Sequence, residues 1–124
     1  MSELAQRACV PCRGGVPPLT HEQIAPLLAQ LASAWQVRER SNAGAPVLYL
    51  ERTYRFKNFA GAMDAAVAIG RMAEEQRHHP DLHVAWGMLR VEVWTHKIGG
   101  LTESDFVFAA KSEAIAASLG TQID

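Results

Sequence analysis

Four of the five histidines in this chain lie between residues 78 and 96: His78, His79, His83 and His96. Imidazole is the side chain best matched to giving and taking protons near neutral pH, so the cluster is a candidate acid/base site. Imidazoles also bind metals, although metal sites usually carry tighter ligand signatures than this. A third reading gives the four residues no joint role. Pro80 biases His79 toward an extended backbone, and adjacent extended residues point to opposite sides. His78 and His79 therefore share a site only if the chain bends there, as at a helix-to-strand junction. His96 precedes the Gly99-Gly100 break and could reach the pair across a sheet end. His83 reads as a strand residue facing solvent.

Other chemistries find less support. Cys9-Val-Pro-Cys12 is a lone CxxC pair with no second pair and no βαβ context, which favours two reduced thiols in an arm over a redox or zinc site. Gly14-Gly15 follows no strand, and neither it nor Gly99-Gly100 leads into Lys-Ser/Thr, so neither forms a phosphate-binding loop. The chain has no Gly-x-Ser-x-Gly elbow for a hydrolase nucleophile.

The elements that must position these residues can be read from periodicity. Residues 1–19 are rich in Pro and Gly and are expected to be an irregular arm, leaving 20–124 as one domain. Thr20 with Gln23 forms a capping-box pattern, and Ile24, Leu27, Leu28 and Leu31 carry helical spacing, predicting a helix from His21 to Ser33. Trp35 to Arg40 and Val47 to Phe56 read as strands around the turn residues 42–46. Arg52 interrupts the apolar face of the second. Asn58 caps a helix from Phe59 to Gln76, with Phe59, Met63, Val67 and Gly70 as its expected buried stripe. Gly70 suggests close packing there. Leu82 to Trp86 and Leu89 to Thr95 alternate as strands. Thr102 and Asp105 form an approximate capping box for a last helix ending near Leu119, with Gly120 as its C′ residue.

This order predicts an α+β fold: two layers, with a four-stranded antiparallel sheet and three helices packed on one face. An uncovered face or edge predicts a homodimer or homotetramer. The 124 residues suit one domain. Twelve Lys and Arg against thirteen Asp and Glu give a net charge of −1, which offers no electrostatic case for nucleic acid or an anionic membrane. No apolar run approaches the roughly 20 residues of a membrane helix, and no signal-peptide core stands at the N-terminus. A cytoplasmic location is expected.

Several motifs together carry a resemblance. They are His78-His79-Pro80, Thr95-His96, and Gly100-Leu101-Thr102 with Asp105. Trp35, the run from Arg52 to Phe59 and the segment from Cys9 to Leu19 extend the pattern over nearly the whole chain. The combination resembles the pterin-4a-carbinolamine dehydratase family. The resemblance implies loss of water from a 4a-hydroxytetrahydropterin to give the quinonoid dihydropterin, with no metal and no organic cofactor. It also implies His78 and His96 as an acid/base pair, with His79 orienting the pterin. Glu74, Pro80, Trp94, Thr95, Lys97 and Asp105 are the implied substrate-binding residues. Asp105 has a second reading as the cap of the last helix. Arg77 and Lys97 depart from what relatives often carry at those positions. A metabolic link to an aromatic amino acid hydroxylase is a further implication. A binding or assembly role on the same scaffold is the alternative, and three imidazoles favour the enzyme.

Overall fold

The structure is a computed structural model and describes residues 3–10 and 16–120. Its elements run α1 (Glu3–Gln6), α2 (His21–Leu28), β1 (Gln36–Asn42), β2 (Ala45–Arg55), α3 (Phe59–Gln76), β3 (Asp81–Ala85), β4 (Met88–Val93) and α4 (Glu103–Ser118). The four strands form one antiparallel sheet in the order β1-β2-β4-β3. The expected architecture is present, with the short α1 as a fourth helix.

Strand parity divides the sheet into two different faces. Leu50 and Tyr54 of β2 pair with Val93 and Leu89 of β4, and all four are fully buried toward the helices. The opposite face is charged: Arg38 pairs with Glu51, and Arg40 and Arg90 both hold Glu92. Arg52 lies on the apolar side and is buried there, and its partners offset the cost of taking its charge out of water. Its guanidinium forks onto the Glu113 carboxylate of α4 at 3.0 and 3.3 Å and lies 4.4 Å from the Tyr54 ring centroid. The same carboxylate accepts from Trp35 Nε1 at 2.9 Å, so Glu113 ties β2 and the start of β1 to α4.

Three sequence expectations change. The stripe Phe59, Met63 and Val67 is exposed rather than buried. The buried face of α3 is Ala62, Ala65, Ala66, Ile69, Met72 and Ala73. Small side chains let the helix lie close to its neighbours, so burial followed the alanines and not the largest residues. Gly70 makes no close contact, and a Cβ added there would meet open space. The first long helix stops at Leu28, not Ser33. After it, Gln30 and Leu31 donate to Leu27 and Leu28 in tighter turns, while Leu31 still packs on the core. The arm is not wholly irregular either. Glu3–Gln6 is helical, Leu4 is fully buried, and Lys111 of α4 donates to the Ala5 carbonyl at 2.8 Å. Cys12 lies outside the described residues.

Candidate active site

α3 ends just before the histidine pair, and the manner of its ending aims them. Arg77 is the C-cap and sits in the left-handed region at φ 55°, a conformation that more often selects glycine. The bend separates the two imidazoles. His78 turns inward: its Nε2 lies 2.6 Å from Asp105 Oδ1 and its side chain is 10% exposed. His79 stays at the surface, hydrogen-bonded through Nε2 to Glu74 one turn earlier.

Asp105 is fully buried and is the hub behind His78. Its other oxygen accepts from Thr95 Oγ1 at 2.9 Å and from the Thr102 backbone N–H at 2.8 Å. The second of these is half of the expected capping box, so Asp105 caps α4 and also contacts His78. An ionised carboxylate is an acceptor only. His78 Nε2–H then donates to it, and Nδ1 has no hydrogen-bond partner among the described residues.

His96 arrives at the same end of the sheet, because the antiparallel pairing of Asp81 with Glu92 sets the end of β4 beside the start of β3. After β4, the chain folds back on itself: Thr95 N–H donates to Gly100 O, and Ile98 and Gly99 N–H both donate to Thr95 O. Gly99 takes φ 72°, and a Cβ on Gly100 would stand 2.6 Å from Pro18 Cβ, so this tight loop needs both glycines. The His96 ring stacks on Trp94, with centroids 4.3 Å apart and planes 30° apart. Trp94 is held in turn by the Arg40 guanidinium at 4.4 Å and by the Tyr49 ring edge. Arg40 and Tyr49 carry no sequence signal for this role; only the sheet register brings them beside Trp94.

These pieces line one open cleft of about 310 Å³, bordered by Arg77, His78, His79, Trp94, Thr95, His96 and Lys97. That volume is at the low end for small-ligand sites. The three histidines of the sequence reading thus converge, with Trp94, Thr95 and Lys97. Glu74, Pro80 and Asp105 do not line the cleft: Glu74 and Asp105 stand behind His79 and His78. Arg77 and Lys97 form no ion pair among the described residues.

His83 is apart from this cleft. It is exposed on β3, 3.4 Å from Glu92 Oε1. Asp81, His83 and Glu92 bring candidate ligand atoms within 4.8 Å of one another. Two arginines already occupy Glu92, at 2.7 and 3.0 Å, and their charge opposes a metal cation. Burial opposes ionisation of Glu92, but Arg40 and then His83 outweigh it and hold its pKa below the ordinary carboxylate value. Cys9 is also buried, and burial pushes its thiol up to about 11. Such a thiol is inert, which agrees with a structural part for that residue.

Comparison with known proteins gives this arrangement a setting. Residues 17–115 match the family model for pterin 4 alpha carbinolamine dehydratase. A Rickettsia canadensis protein named for pterin-4-alpha-carbinolamine dehydratase is 47% identical over 92% of this chain and 98% of its own length. A Rubrobacter xylanophilus protein named for the same activity is 50% identical over 93% of this chain and 100% of its own. Among solved structures, a transcriptional coactivator/pterin dehydratase from Brucella melitensis superposes with a TM-score of 0.69. It is 29% identical, over 80% of this chain and 98% of that one.

Proposed function

Since the chain belongs to the pterin 4 alpha carbinolamine dehydratase family, we propose that it removes water from a 4a-hydroxytetrahydropterin, with His78 and His96 as the acid/base pair. The observation that carries the proposal is the convergence of His78, His79 and His96 on one cleft, with a buried carboxylate behind His78.

The reaction breaks the C4a–O bond and the N5–H bond and forms a C4a=N5 double bond. One proton is given to the departing hydroxyl and one is taken from N5, so oxidation state is unchanged. His78 suits the base: its free Nδ1 can accept the N5 proton, and Asp105 supplies a buried counter-charge for the imidazolium that forms. His96, presented on the Trp94 face, suits the acid that protonates the hydroxyl. His79, tethered to Glu74, orients the ring, while Thr95 and Lys97 border it. Each proton transfer by a positioned group contributes typically about 10² to 10⁴ in rate. Stopped-flow absorbance of a 4a-hydroxytetrahydropterin decaying to the quinonoid dihydropterin tests this. The wild type accelerates the decay; a rate equal to the uncatalysed one overturns the proposal.

The same reading includes a cytoplasmic setting downstream of an aromatic amino acid hydroxylase, which would generate the 4a-hydroxypterin. It also includes self-association. Among the described residues no helix is long and apolar enough to cross a membrane. The exposed apolar stripe Phe59, Met63 and Val67 on α3 supports a homo-oligomer, and light scattering at micromolar concentration reads it directly.

A further inference from the structure

A second cavity, of about 490 Å³, adjoins the cleft and shares His78 and Thr95 with it. Its remaining wall comes from Ile98, from the start of α4 (Thr102, Glu103, Ser104, Val107), and from the N-terminal arm through Arg7, Ala8, Val10 and Val16. The arm is held in place there. Val10 N–H donates to Ser104 Oγ at 2.9 Å, and that hydroxyl donates back to Val10 O at 3.3 Å. Cys9 N–H donates to Gln76 Oε1 at 2.9 Å, and Leu19 N–H donates to Leu101 O at 2.8 Å. Val10 nevertheless leaves 71% of its surface exposed at the cavity. The bonds that satisfy the buried Ser104 hydroxyl also fix the exposed apolar side chain of Val10 at the cavity wall.

The cavity also differs from the cleft in charge. Arg7 is paired with both Glu3 and Glu103, so its guanidinium is neutralised at the cavity wall. Ala8, Val10, Val16, Ile98 and Val107 make an apolar half of the remaining wall, and His78, Thr95, Thr102, Ser104 and the Arg7-paired Glu103 make the polar half. The cleft, by contrast, carries the cations Arg77 and Lys97, which form no ion pair among the described residues. An uncharged, largely apolar group is therefore favoured in the cavity.

We propose that the arm-walled cavity receives the substituent at C6 of the pterin, and that Val10 is a specificity-determining residue for an uncharged substituent there. This rests on the dehydratase reading. In that reading N5 faces His78, and C6 is bonded to N5, so a C6 group lies beside His78, where the cleft opens into the cavity. The N-terminal arm is then part of the substrate site.

Binding separates this inference from catalysis. The probes are the oxidised, unreactive pterins 6-methylpterin and unsubstituted pterin, read by their fluorescence on the full chain. Wild type should bind 6-methylpterin about tenfold more tightly, the low end of what one carbon contributes to discrimination in an apolar pocket. Val10→Trp, which fills the cavity, and Ser104→Ala, which frees the arm, should each bring the ratio toward one, with circular dichroism unchanged. Equal affinities in the wild type, or a ratio unchanged in both variants, overturn the inference. A tenfold ratio without acceleration of the dehydration would support the cavity assignment while removing the dehydratase reading.

Discussion

The two sides of the cleft are built by opposite means. His78 is wired into the interior: it contacts a fully buried carboxylate that is itself fixed by Thr95 and the first turn of α4. His96 is exposed and held by a stack that runs from Arg40 through Trp94. His79 resembles His96, since its tether Glu74 is 77% exposed. One imidazole thus has a fixed tautomer and a counter-charge, while the other two keep access to water. This division suits a reaction in which one group must hold a proton taken from a ring nitrogen and another must release one to a departing hydroxyl. Hydrogen bonds among buried charged groups are also stronger and costlier to break than exposed pairs, so the two sides should respond unequally to substitution.

The largest effect should come from removing the imidazoles. His78→Ala and His96→Ala should each lower turnover by about 10² to 10⁴ with the fold intact. The double variant should sit near the uncatalysed rate and not at the product of the two losses, because groups acting as a unit are non-additive. Stopped-flow rates on the three variants check this. Asp105→Asn comes next. It keeps the shape of the hub but removes the charge behind His78 and leaves one of its polar partners mismatched. Turnover should fall, and denaturant titration should show a stability loss of about 1–3 kcal/mol, the cost of an unsatisfied buried polar group. A loss of stability with unchanged turnover would reduce Asp105 to a helix cap.

The same change on the exposed side should be mild. Glu74→Gln should change stability by less than about 1 kcal/mol, as exposed ion pairs do, and 1 M salt should erase most of the difference. The smallest effect concerns the arm. In a Cys12→Ser background, native Cys9 should resist a thiol reagent at pH 8, because its pKa stands at about 11 against an ordinary 9.0. The folded state then holds the thiol proton more tightly than the unfolded one. The contribution of Cys9 to stability is therefore complete below pH 9 and is lost as pH rises from 9 to about 11. Cys9→Ala should flatten that part of the stability profile, read by denaturant midpoints across the range.

Much of this protein was decided by chemistry acting over a few residues. The Thr20–Gln23 box, the Asn58 cap on Gly61 N–H and the left-handed Gly120 after α4 arise from neighbours within one turn. So do the strand alternation of residues 88–93 and the bend before Pro80. These signals were enough for the order of the four strands and the three longer helices, and for the histidine cluster, but not for α1. What tertiary structure alone decided lies between elements far apart in sequence. The buried face of α3 was chosen by how closely alanines let it approach, although its larger apolar residues carried the stronger periodic signal. Arg52 became a core residue because α4 brought Glu113 to it. Asp105 became the partner of His78, 27 residues away, only when the start of α4 settled against the end of α3. The arm became a wall of the cavity beside the cleft through Ser104 and Gln76. A local pattern specifies which face of an element is able to be buried. Which face is buried, and which charges meet there, depends on the fit between elements, and that is a property of the packed chain.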